Sequence, residues 1–138
     1  MRKQPLDLPA RDIDSIAQRV SLCAQAARDA IGPGRAVEDY ESALDRALRA
    51  DKLQFAWQYP IGVPFDGPPD RGFYADFIVE GWTLLELKVV DRLTLEHADL
   101  ALNYLRESSC KLCLLINFGQ PKVEITRILP SGEVSHAE

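Results

Sequence analysis

The run LCLLI at residues 112–116 constrains this 138-residue chain more than any other feature. Five successive apolar residues without alternation cannot leave one face in water, so they read as a strand covered on both sides, which implies a parallel neighbour. A parallel neighbour requires a crossover, and residues 94–108 supply one. Leu95, Ala98, Ala101, Leu102 and Leu105 recur there at helical spacing. Residues 82–90 (WTLLELKVV) precede that helix as the partner strand, and the unit is expected to cross over right-handed.

The remaining elements follow from periodicity. Ile13, Ile16, Val20, Cys23, Ala24, Ala27 and Ile31 mark an amphipathic helix with Asp12 as its N-cap, and Gly32-Pro33-Gly34 ends it. A second helix covers residues 36–50. Residues 53–59 form a strand that Pro60 ends or bends, and a polar Gly/Pro-rich loop covers 66–71. Residues 72–79 and 82–90 form a hairpin turning at Glu80-Gly81. Val123, Ile125 and Ile128 suggest a last, edge-like strand. The expected architecture is a single α/β domain over residues 1–138, a mixed sheet flanked by helices in the order α-α-β-β-β-α-β-β.

Lys and Arg number 16 against 21 Asp and Glu, a net charge of -5. That excludes a surface that grips duplex nucleic acid everywhere through its phosphates, though not a local basic groove. Arg71, Arg92 and Arg106 are expected near such a groove's rim. Three cysteines do not make a disulfide framework. The start MRKQPLDLPARD has no apolar run behind its basic residues. No stretch reaches the roughly 20 apolar residues that span a bilayer. The expectation is a cytoplasmic protein without membrane contact.

Three charged residues sit in strands that otherwise read as buried. Asp76 interrupts the first hairpin strand, and Glu86 and Lys88, two apart in LLELKVV, project from one face of the second. Two carboxylates about 4 Å apart repel by roughly 4 kcal/mol at an effective dielectric of 20. A divalent ion reverses that sign, and hard oxygen ligands suit Mg²⁺ or Mn²⁺. A neighbouring lysine then orients water or stabilises phosphoryl charge. The simpler alternative is a cross-strand ion pair. A shared site also fixes the hairpin. A two-residue loop would pair 79 with 82 and leave Glu86 opposite in face to Asp76, so one extra loop or bulge residue is required, most simply with Gly81 left-handed. Cys110 and Cys113 have CxxC spacing, but a structural zinc site needs four ligands and only Cys23, His97 and His136 remain. His97 reads either as a phosphate contact or as a solvated helix residue.

The chain resembles the GxxExxY proteins, a branch of the PD-(D/E)XK nuclease superfamily. The resemblance is carried by GPG at 32–34, Tyr40, QYPIGV at 58–63, FYADFIVEG, LELKVV, NYL at 103–105 and LLINFG at 114–119. It implies a restriction-endonuclease-like PD-(D/E)XK core. It implies Asp76 and Glu86 as metal ligands for Mg²⁺ or Mn²⁺, with the Leu87 carbonyl as a further ligand and Lys88 as the catalytic lysine. Gln58, Tyr40 and Glu38 stand as auxiliary candidates. Two family positions differ. Val37 stands where the naming motif has Glu, and Leu100 where the family carries Gln. Glu38 lies next to Val37, but one residue on a helix is a rotation of about 100°, so Glu38 is expected to point away while Val37 and Tyr40 face the sheet.

Two functions compete. One is a metal-dependent phosphodiesterase acting on nucleic acid, DNA or RNA. The other is an inactive nuclease-fold protein that binds, scaffolds or self-assembles, the last as a homo-oligomer through the apolar face of the first helix.

Overall fold

The computed structural model describes residues 10–61 and 74–137, so the 66–71 loop and Arg71 lie outside the described residues. The elements are α1 (Ala10–Ile31), α2 (Val37–Ala50), β1 (Phe55–Pro60), β2 (Tyr74–Val79), β3 (Thr83–Lys88), α3 (Leu95–Ser108), β4 (Leu112–Asn117), β5 (Glu124–Ile128) and β6 (Val134–Ala137). They build one mixed sheet in the order β1-β2-β3-β4-β5-β6. Only β3 and β4 run parallel, with Glu86 opposite Leu115 and Lys88 opposite Asn117.

The unalternating run behaves as its composition requires. Every residue of β4 is buried, and the two faces serve two cores. Leu112, Leu114 and Ile116 pack with α1 and α2 through Val20, Ala24, Tyr40 and Leu44. Cys113 and Leu115 pack with α3 through Ala98, Ala101 and Leu105. The apolar face of α1 is therefore spent inside the chain, which removes the surface on which self-assembly was expected.

Three differences from the sequence reading are local. Asp12 lies in the first turn of α1 rather than capping it. A sixth strand follows β5, and it, not β5, forms the edge. Gly132 turns it back with φ 99°, and its VSHA sequence carries no apolar alternation to announce it. Arg106 donates to the Pro130 carbonyl at 3.0 Å, so it ties α3 to the turn before β6 instead of standing at a groove. Among the described residues no helix is long and apolar enough to cross a membrane.

One polar network holds the ends of β3 and β4 together. Asn117 Nδ2 donates to the Val90 carbonyl at 2.9 Å and to Glu124 Oε1 at 3.1 Å. Its Oδ1 accepts from the N–H groups of Val90 and Gly119, both at 2.9 Å. Glu124 Oε1 also accepts from the Leu93 N–H at 3.0 Å. Gly119 approaches Val90 so closely that a Cβ there would lie 2.0 Å from the Val90 oxygen. This knot fixes the segment that leads from Lys88 to α3.

Candidate active site

The hairpin between β2 and β3 decides whether Asp76 and Glu86 meet. Val79 pairs with Thr83, leaving Glu80, Gly81 and Trp82 between the strands. Glu80 and Gly81 are both left-handed, with φ 55° and 82°. Trp82 is the extra residue that restores parity. Glu80 tolerates its φ because Gln54 holds it twice. The Glu80 N–H donates to the Gln54 carbonyl at 2.8 Å, and the Gln54 N–H donates to Glu80 Oε2 at 2.8 Å.

With that register, Phe77 opposes Leu85 and Asp76 falls directly across from Glu86. The two carboxyls are interlocked through the main chain. The Asp76 N–H donates to Glu86 Oε2 at 3.3 Å, and the Leu87 N–H donates to Asp76 Oδ2 at 2.7 Å. Glu86 is only 6% exposed. Burial, then the Asp76 charge, pushes its carboxyl up to about 8. Burial also raises Asp76, opposed by the Leu87 N–H and Lys88. Lys88 acts on both carboxyls electrostatically, yet forms no direct ion pair with either among the described residues. The simple cross-strand ion pair is therefore not what these strands contain.

Asp76 also sits where the strands change face. Phe77 and Val79 belong to the α1/α2 core, whereas Ala75 belongs to the α3 core. The register that pairs Trp57 with Phe77 and Tyr59 with Ala75 leaves Gln58 across from Asp76, and Gln58 is left-handed, φ 49°. Alternation breaks on both strands at one level, so groups from both helical layers reach the carboxyls. Gln58 itself is exposed.

From α3 come His97, Leu100 and Tyr104, which line a narrow cleft with Glu86 and Lys88. Burial, Glu86 and Asp76 raise the Tyr104 phenol. His97 is half-buried at this cleft rather than a solvated helix residue. Its Nδ1 accepts the Thr94 N–H at 3.0 Å, which places the ring proton of the neutral form on Nε2.

From α2 comes a residue the sequence reading missed. Glu41 is 7% exposed. Burial, Asp76 and Glu38 raise its carboxyl, and a hydrogen bond from the Trp57 indole opposes them. Glu41 lies one helical turn beyond Val37 and so shares its face. That spacing, together with an acidic residue in an otherwise apolar stripe, was the signal available. Glu38 is exposed, as expected. Tyr40 is not at the site. Fully buried, it donates its hydroxyl to the Gly32 carbonyl at 2.6 Å and stacks on Phe118 with centroids 4.8 Å apart. It anchors the turn between α1 and α2. Cys113 is fully buried and burial raises its thiol well up, while Cys110 is buried just before β4.

A divalent cation fits this donor set. The nearest groups are hard oxygens, and two adjacent carboxyls, Glu86 buried and Asp76 half-buried, gain most when a cation replaces the proton that Glu86 otherwise keeps. Among the described residues no three His, Cys, Asp or Glu side chains already converge on one point, so further donors would be main-chain oxygen and water.

The family model for the PD-(D/E)XK nuclease superfamily matches residues 14–128, which include Glu41, Asp76, Glu86, Lys88, His97 and Tyr104, and the chain belongs to that superfamily. No curated protein and no solved structure matches the chain.

Proposed function

We infer that this protein is a metal-dependent phosphodiesterase acting on nucleic acid. The observation that carries the reading is the cross-strand pair of half-buried Asp76 and buried Glu86, interlocked through the Leu87 and Asp76 N–H groups, and without a direct cationic partner among the described residues. Asp76, Glu86 and the Leu87 carbonyl would hold Mg²⁺ or Mn²⁺. The bound ion supplies Lewis acidity and lowers the pKa of water at the site. Lys88 directs its charge to the phosphoryl oxygens and orients the attacking water, so that negative charge developing at phosphorus meets a fixed cation. Water oxygen would bond to phosphorus as its proton passes to solvent, the ester P–O bond would break, and the departing oxygen would take a proton from solvent water. Glu41 would serve from behind, through its charge on Asp76 and Glu86.

The competing reading is a nuclease-fold protein that binds without cutting. On its side stands the lack of three converging ligand side chains among the described residues. Calorimetric titration of Mn²⁺ into wild type and Asp76→Ala separates the two. Saturable binding that Asp76→Ala abolishes supports the enzyme. Heat that is absent, or equal in both proteins, overturns it.

A further inference from the structure

Beside the carboxyl pair, on the α2 side, lies a second feature, of which hydrolysis uses only Glu41. Glu41, Ser42, Asp45, Arg46 and Trp57 line a hollow of about 270 Å³. Trp57, one of its lining residues, is 53% exposed in a protein whose other tryptophan, Trp82, is 1% exposed. A large ring left this open in a strand is costly in water, and it shares the hollow with the buried Glu41 carboxyl. Glu41 in turn acts on Asp76 and Glu86. Trp57 is paired with Phe77, the residue after Asp76. The hollow therefore lies one strand position from Asp76. Arg46 on the rim is exposed and has no ion pair among the described residues.

We propose that this hollow is a subsite for one unpaired nucleobase, stacked on Trp57, with the adjoining backbone phosphate drawn toward Arg46. The substrate class is then a single strand or an unpaired end, not an intact duplex. The proposal rests on the nuclease reading and deepens it. Size, charge and stacking all favour one unpaired base. The volume lies just under the range of drug-sized pockets, enough for one nucleobase. The net charge of -5 makes phosphate contacts alone a poor source of affinity. Stacking on an exposed aromatic is sequence-tolerant and does not depend on net charge.

Trp57 is its own reporter. With Ca²⁺ present, tryptophan fluorescence and anisotropy are followed as oligo-dT, oligo-U, an abasic strand and a blunt duplex are added to the full chain. The expected result is quenching by oligo-dT or oligo-U, little by the abasic strand, and weaker binding of the duplex. Trp57→Phe keeps affinity within a few-fold but loses the quenching. Trp57→Ala weakens single-strand binding roughly 5- to 100-fold, the range of one stacked base. Arg46→Gln lowers the salt dependence by about one phosphate contact. Melting temperature and Mn²⁺ binding of each variant report folding, and Arg46→Gln carries the test if Trp57→Ala does not fold. Equal or tighter duplex binding, or single-strand binding without quenching, overturns the subsite while leaving the nuclease reading intact. No binding of any oligonucleotide overturns both. Quenching by an apolar peptide but by no strand assigns the hollow to a protein partner and also overturns it.

Discussion

The amide of Asp76 donates to the carboxyl of Glu86, and the amide after Glu86, that of Leu87, donates back to Asp76. The two side chains are therefore held by each other's strands. Neither can rotate away without leaving a buried amide unpaired, a loss of about 1–3 kcal/mol. Such mutual locking fixes two oxygen donors before any cation arrives.

Glu86 makes stability depend on pH. Its folded carboxyl lies near 8 against an ordinary 4.5, so between those values the folded state binds the extra proton. Stability falls as pH rises through that window. Metal-free protein should lose on the order of a few kcal/mol from this group. Glu86→Gln should flatten the loss and exceed wild type in urea unfolding above pH 8. Equal slopes for both proteins would sink the assignment.

Glu41 should matter and Glu38 should not. Glu41→Gln is expected to weaken Mn²⁺ binding about 10- to 100-fold, as outer-shell partners do, while the exposed Glu38→Ala leaves it unchanged. Calorimetry on the two variants gives the answer. An equal effect from both would mean that α2 sits in another register.

Lys88→Met removes the one cation that acts on the pair among the described residues. Cleavage of a labelled single strand should drop by roughly 100-fold or more. Mn²⁺ affinity should hold or rise, because a positive charge has left the site. Loss of both together would place Lys88 in the fold rather than in the chemistry.

Gly119→Ala tests the knot behind the site. Its Cβ would meet the Val90 oxygen at 2.0 Å, and backbone cannot step aside as a side chain does. Unfolding should become easier by about 2–4 kcal/mol. Asn117→Ala should cost a similar amount by orphaning the Val90 and Gly119 amides. Retained stability in both would show that the 89–94 segment is held by other contacts.

Sequence by itself determined the parallel pair and singled out the charged residues that the strands bring together. LCLLI could only be a doubly covered strand, and its side chains do divide between two cores. Asp76, Glu86 and Lys88 stood out because charge in buried strands needs a reason. Parity even determined that the hairpin must carry an extra residue, and Trp82 is that residue.

Tertiary structure alone decided what surrounds those groups. Glu41, His97 and Tyr104 come from two helices on opposite sides of the sheet, and helical periodicity gives each one's face but not the strand it meets. The break in alternation at Gln58 and Asp76 lets both layers reach one point, yet a left-handed Gln inside a strand leaves no mark in composition. Tyr40 shows the converse. Its place in a family motif suggested the site, and packing against Phe118 and Gly32 put it in the core. Local pattern fixes which face is buried because burial is a property of one element, whereas a site depends on which elements meet, and only the packed chain settles that.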